Sequence, residues 1–249
     1  MIDEAPDTDQ APGTDPAARR EPVLGILGGM GPAATVELYR RLTEAVDAGT
    51  DQDHPRIIID SNAKVPDRTA ALLAGGPDPV PFLLDSAATL QAAGADVIAM
   101  PCNTAHAYLP AIRDHVALPV LDMIERTVAA SPRSGPIGLL ATSGTIEVRL
   151  YQDAFASHDL DVVVPIGEDQ AAAMRAIHLV KAGDLPASVP YAEAAAAGLG
   201  RQGATAIVLG CTEFSVLAGH HTLALPTIDP LDALVDAILD HLGLPRRDA

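Results

Sequence analysis

From Val23 onward, short apolar runs alternate with segments in which apolar residues return every three or four positions. That alternation is the pattern of βαβ units and predicts parallel strands covered by helices. The runs predict strands at Val23–Leu27, Arg56–Asp60, Asp96–Met100 and Pro119–Leu121, then at Ile137–Ala141, Asp161–Val164, Thr205–Leu209 and Leu223–Thr227. Helical periodicity is clearest over Ala33–Ala48, Pro81–Ala93, Ala105–Val116, Thr145–His158, Gln170–Lys181 and Tyr191–Gln202. Pro230, well placed in a first helical turn, opens a last helix over Leu231–Leu242.

The two sets of strands read as related halves. Gly94-Ala-Asp-Val-Ile-Ala-Met-Pro-Cys102 and Gly203-Ala-Thr-Ala-Ile-Val-Leu-Gly-Cys211 each place a glycine eight positions before a cysteine. Val23-Leu-Gly-Ile-Leu-Gly-Gly-Met-Gly31 is echoed by Pro136-Ile-Gly-Leu-Leu-Ala-Thr-Ser-Gly144. The offsets nearly agree, at 113 for the glycine strands (138 − 25) and 109 for the cysteines (211 − 102). Generic strand similarity is the plain alternative. The expected class is α/β, with two pseudo-symmetric parallel-sheet domains. Residues 22–121 plus 226–249 would form the first, carrying Cys102, with the terminal helix packed back on it; residues 122–225 would form the second, carrying Cys211. Residues 1–21, acidic and punctuated by proline, read as a disordered tail.

Composition narrows the class. Apolar residues make up 48% but aromatics only 3%, and Trp is absent, so Ala, Val, Ile and Leu must pack the core. That suits parallel strands under Ala-rich helices. The formal net charge of −17, with no basic cluster, argues against nucleic-acid and anionic-membrane partners. It would also repel a dianionic substrate, which therefore needs a local cationic pocket. No apolar run approaches the roughly 18–20 residues of a membrane span, and the N-terminus lacks the layout of a secretion signal, so a cytoplasmic protein is expected. There, two cysteines remain thiols.

Candidate chemistry gathers at strand ends. Each cysteine closes an apolar strand and precedes a polar residue, where open α/β sheets hold ligands and backbone N–H groups can stabilise a thiolate. Gly25-Ile-Leu-Gly-Gly-Met-Gly31 follows a strand and opens a helix. Its spacing is not the dinucleotide fingerprint. It reads as a turn that lets Gly28, Gly29 and Met30 approach a ligand, a carboxylate as readily as a phosphate. The eight histidines fall into no metal-ligand spacing, and no Ser-His-Asp signature occurs. No metal and no cofactor are expected. Asn62 and Arg68 lie on a loop after the second strand; Arg68 is either a carboxylate clamp or a surface residue paired with Asp67. Lys181 by itself reads as an ordinary lysine near a helix C-terminus.

Gly25-Ile-Leu-Gly-Gly-Met-Gly-Pro32, Pro66-Asp-Arg-Thr69, Met100-Pro-Cys-Asn-Thr-Ala-His106, Leu140-Ala-Thr-Ser-Gly-Thr145, Lys181-Ala-Gly183, Gly210-Cys-Thr-Glu213 and Ile228-Asp-Pro230 together resemble the aspartate/glutamate racemase family, its aspartate racemase branch in particular. The resemblance runs from about Val23 to the C-terminal helix. It implies a pyridoxal-independent isomerase with the active site in the cleft between the domains and one catalytic cysteine from each, Cys102 and Cys211. By the same resemblance Arg68 and Lys181 would hold the side-chain carboxylate. Asn103, Thr104, Thr145, Thr212 and the Gly29–Met30 turn would hold the α-carboxylate and amino group, with Asn62 and Glu213 as neighbours of the thiols. The Pro-Asp-Arg-Thr segment favours a short dicarboxylate, and a homodimer is expected.

The leading reading is therefore interconversion of L- and D-aspartate by two thiols acting as acid and base. Two others remain: a one-cysteine decarboxylation or cis-trans isomerisation of a small diacid, and a non-catalytic protein that binds an acidic metabolite.

Overall fold

Two parallel sheets with the same winding order make up the protein. The computed structural model describes residues 21–133 and 135–247, so all but Glu21 of the expected acidic tail lies outside the described residues. The first half runs β1 (Leu24–Gly28), α1 (Pro32–Ala45), β2 (Ile57–Ser61), α2 (Arg68–Ala74), α3 (Val80–Ala92), β3 (Val97–Ala99), a 3₁₀ segment (Thr104–Tyr108), α4 (Leu109–His115) and α5 (Met123–Ala130). The second runs β4 (Ile137–Leu139), α6 (Ser143–Glu147), α7 (Leu150–Ala156), β5 (Val162–Val163), α8 (Glu168–Lys181), α9 (Leu185–Arg201), β6 (Ala206–Val208), α10 (Thr212–Ala218), β7 (Thr227–Ile228) and α11 (Pro230–Leu242).

The sheet orders are β2-β1-β3 and β5-β4-β6-β7. In the first sheet a single parallel bridge, Ile98 to Val120, stands where β7 stands in the second. Thus β1 corresponds to β4, β2 to β5 and β3 to β6, and the internal echo of the sequence is a structural duplication. Strand residues alternate between two cores although nearly all are apolar, as buried parallel strands do. Leu24, Ile26, Val97 and Ala99 face one side of the first sheet with α1 and α11, while Leu27, Ile98 and Met100 face the other with α3 and α4. In the second sheet Ile137, Leu139, Ala206 and Val208 pack with α5 and α7, and Leu140, Ile207 and Leu209 with α8, α9 and α10.

The helices after the last strand of each half change sides. α5 lays Ile124 and Val128 on the second sheet, and α11 lays Leu231, Leu234 and Ile238 on the first. Asp122 and Asp229 cap them: Asp122 accepts from the Ile124 and Glu125 amides, Asp229 from that of Leu231. The exchange holds the two sheets across a shared cleft.

Several expected elements differ. The helix expected over Ala105–Val116 begins as a 3₁₀ segment and becomes α-helical only at Leu109, with Pro110 in its first turn. That expected over Thr145–His158 is two helices, broken where Arg149 adopts a left-handed backbone with φ 57°. The helix expected from Tyr191 already begins at Leu185, because Pro186 sits in a first turn capped by Asp184. Pro119–Leu121 forms only the Val120 bridge, and Leu223–Thr227 is paired only at Thr227–Ile228. α2, α5 and α10, seven or eight residues each, are too short to show a period.

Candidate active site

Both thiols lie just past the carboxyl ends of equivalent strands. Cys102 follows β3, and Cys211 follows β6 as the N-cap residue of α10. Both are free and buried, and they line one cavity with residues of both halves. The cavity is about 20 Å³, room for one water and not for an amino acid, so its walls must move apart to admit a substrate.

The glycine turn forms one wall. The Gly29 amide donates to Thr35 Oγ1 at 2.9 Å. Gly29 has φ 88°, and a Cβ there would run into the backbone of Asn62 and Ala63. The segment after β2 therefore lies directly on the turn, which only glycine permits. The Met30–Gly31 peptide is cis. The Met30 carbonyl accepts from Arg68 Nη2 at 2.9 Å, and the Pro66 carbonyl accepts from Nη1 at 3.1 Å.

Arg68 is only 8% exposed, and its Nε has no partner. Asp67 spends its carboxylate capping α2 through the Ala70 amide. Burial by itself would lower the Arg68 pKa, but Cys102, Asp67 and Glu213 outweigh it and hold the guanidinium firmly charged. Lys181, at the end of α8, reaches Glu213 Oε1 at 3.9 Å. Burial pulls down on its pKa too, and Glu213 and Cys211 reverse the shift.

Asn103 Oδ1 accepts from Tyr151 Oη at 2.5 Å, which leaves its buried Nδ2 without a partner. Buried donors are almost always satisfied. The orphaned Asn103 amide and Arg68 Nε on the walls of one cavity are suited to an anion. Thr104 from the first half and Thr142 and Thr145 from the second form a triangle of hydroxyls 2.9–3.0 Å apart. Thr212 completes the wall beside Cys211.

The thiols differ in surroundings. Cys211 Sγ donates to Glu213 Oε2 at 2.8 Å. Burial first, and Glu213 second, push its pKa well above the usual thiol value. Cys102 lies beside Arg68 and is oriented through its backbone: its carbonyl is 2.8 Å from His106 Nδ1, while His106 Nε2 accepts from the Met123 amide at 3.1 Å. Those partners make the imidazole neutral with its proton on Nδ1. Burial lowers its pKa accordingly.

Of the sequence candidates, Cys102, Cys211, Met30, Arg68, Asn103, Thr104, Lys181, Thr212 and Glu213 line the thiol cavity. Gly29 lines the adjoining, larger opening. Thr145 lies behind the wall, in the hydroxyl triangle. Asn62 is turned away from the thiols: its Nδ2 donates to Ser86 Oγ at 3.2 Å and its Oδ1 accepts from the Lys64 amide. Sequence reasoning missed Asp67, Thr69 and Thr142 on the wall and Tyr151 behind it, although the first three fall inside quoted motifs. Tyr151 carries no local signal. Among the described residues no group of three or more His, Cys, Asp or Glu side chains could hold a metal ion, and no helix is long and apolar enough to cross a membrane.

A two-sheet α/β protein with one buried thiol from each half at a common cleft matches known proteins. The Asp/Glu/Hydantoin racemase family model matches residues 27–238, and the chain belongs to that family. It is 31% identical to the aspartate racemase of Picrophilus torridus, with a TM-score of 0.81 over 91% of this chain and 96% of that one. It is 28% identical to the broad specificity amino-acid racemase RacX of Bacillus subtilis over 229 residues, 83% of this chain and 92% of the relative. It is also 29% identical to the glutamate racemase of Deinococcus radiodurans over 212 residues, 82% of this chain and 68% of the relative.

Proposed function

We propose that this chain is a pyridoxal-independent amino-acid racemase that interconverts L- and D-aspartate, with Cys102 and Cys211 as the two acid/base groups. The observation that carries this reading is that two buried thiols, one from each half, line a cavity whose cations are Arg68 and Lys181. Racemisation needs a base on one face of the α-carbon and an acid on the other, with roles exchanged in reverse. One thiolate removes the α-proton while the opposite thiol delivers its own, and the reverse reaction restores both. Cys211, donating to Glu213, is held as the protonated thiol that serves as the acid.

The α-proton is far less acidic than a thiol, so charge that develops on the α-carboxylate must be met by preoriented donors. The unpaired Asn103 amide, Thr104 and Thr212 fill that role. Arg68 and Lys181 neutralise the distal carboxylate, offsetting the repulsion of a chain of net charge −17. The reading includes a homodimer, as the family resemblance implies, and a cytoplasmic location.

Proton NMR of L- and D-aspartate in deuterated buffer tests it. The wild type should exchange the α-proton of both enantiomers without added pyridoxal phosphate, and Cys102→Ser and Cys211→Ser should each lose most racemisation. Absence of exchange with both enantiomers sinks the aspartate reading.

A further inference from the structure

Beside the small thiol cavity lies a second, larger one of about 440 Å³, which shares four residues with it: Met30, Arg68, Lys181 and Glu213. The rest of its wall is apolar or glycine. Ala33 comes from the first turn of α1, Val65 from the segment after β2, Val180 from α8 and Val216 from α10. The first two belong to one half and the last two to the other, so movement of the halves would change its width. Val65 and Val180 are buried and Ala33 is exposed, which orders the wall from neck to mouth.

From this geometry we infer that the substrate reaches the thiols through this apolar mouth, and that Ala33, Val65, Val180 and Val216 limit what passes. The inference rests on the amino-acid racemase reading for the identity of the substrate, not for the route. An amino dicarboxylate arriving from water meets apolar walls, and the cations that line the neck, among the described residues, are Lys181 and Arg68. Glu213 between them and Cys211 is a like charge. The distal carboxylate of the substrate is therefore drawn toward the two cations and held off Glu213, which sets its direction before the cleft closes. On the far side of the cavity α2 and α6 meet closely: a Cβ on Gly144 would stand 2.9–3.2 Å from Thr69, so that seam admits nothing while it is shut.

The test reads access to the thiols independently of turnover. Alkylation of Cys102 and Cys211 by iodoacetamide, a small neutral probe, is followed by mass spectrometry in the full chain. Ala33→Trp, at an exposed site that tolerates bulk, should slow labelling of both thiols about tenfold and lower kcat/KM for aspartate by a similar factor, with kcat nearly kept. Val216→Ala should speed labelling. Ala70→Trp, on α2, should alter neither. Melting temperatures check that each variant folds. Wild-type labelling rates in both Ala33→Trp and Val216→Ala, or slowing by Ala70→Trp instead, would overturn the route. If labelling follows the expected pattern but aspartate is not racemised, the route stands and the choice of substrate falls.

Discussion

The Cys211 thiol donates a 2.8 Å hydrogen bond to Glu213 Oε2, two residues further along the chain on the first turn of α10. A carboxylate at that distance favours the protonated sulfur, and burial acts in the same direction. The usual thiol value is about 8.5. Because the Cys211 pKa lies above that, the thiol form persists into alkaline solution, and the alkaline limb of kcat/KM should lie above about pH 8.5. In Glu213→Gln the limb should move to lower pH, with a loss of activity of about tenfold or more. A pH–rate profile with the same alkaline limb in both proteins would remove Glu213 from this role.

Arg68 is held by the Met30 and Pro66 carbonyls and keeps its Nε free. Arg68→Lys preserves charge but cannot reproduce a planar fork. It should raise KM for aspartate, and activity should fall about a hundredfold through misplacement of the substrate. Steady-state kinetics with aspartate and alanine would separate the effects, since alanine has no distal carboxylate and should be insensitive to the change.

Gly144, on α6, leaves space for Thr69 of α2. Gly144→Ala should prevent full closure of that seam and raise KM more than it lowers kcat, a split that initial-rate measurements resolve.

Arg41 of α1 donates to Asp229 Oδ2 at 2.7 Å and to the Ser215 carbonyl at 2.9 Å, and Ser215 Oγ donates to Asp229 Oδ1 at 2.6 Å. This part-buried network ties the helix that follows the glycine turn to the helix that Cys211 caps. Arg41 keeps Glu37 and Asp232 as partners, so Asp229→Ala, which removes this bond and the α11 cap, should destabilise the fold by about 1–2 kcal/mol in urea unfolding. Asp229→Asn, which keeps the helix cap, should lose less.

His106 is neutral in the folded protein, with its pKa lowered by burial, and regains its ordinary affinity for a proton on unfolding. Its contribution to stability is therefore present above about pH 6.5 and declines as pH falls below that value. In His106→Gln the decline below about pH 6.5 should be shallower in thermal melts, although the variant is less stable at neutral pH.

Much of this protein is legible in one dimension because its signals are local. Apolar strand runs mark β1, β3, β4 and β6, and the two Gly-to-Cys segments mark the duplication, since equivalent strands face equivalent burial. Gly29 could be read as a turn because only glycine takes its backbone angle without strain. The chain's motifs also carry both thiols, Arg68 and Lys181. The interaction partners are not local. Lys181 looks like any lysine near a helix end until the fold brings it to Glu213, and Tyr151 has no distinguishing neighbour until α7 delivers its hydroxyl to Asn103. Asn62 reads as a site residue from its place after β2, yet its side chain is spent on Ser86 and its own turn. The packing of α11 on the first sheet gathers Leu231, Leu234 and Ile238 into one cluster with Leu24 and Ile26, over two hundred positions earlier, which no window of periodicity contains. Residue types and their strand-end positions were determined by the sequence alone; which of them share a cavity, and how far it is closed, was decided by the packing of the two halves.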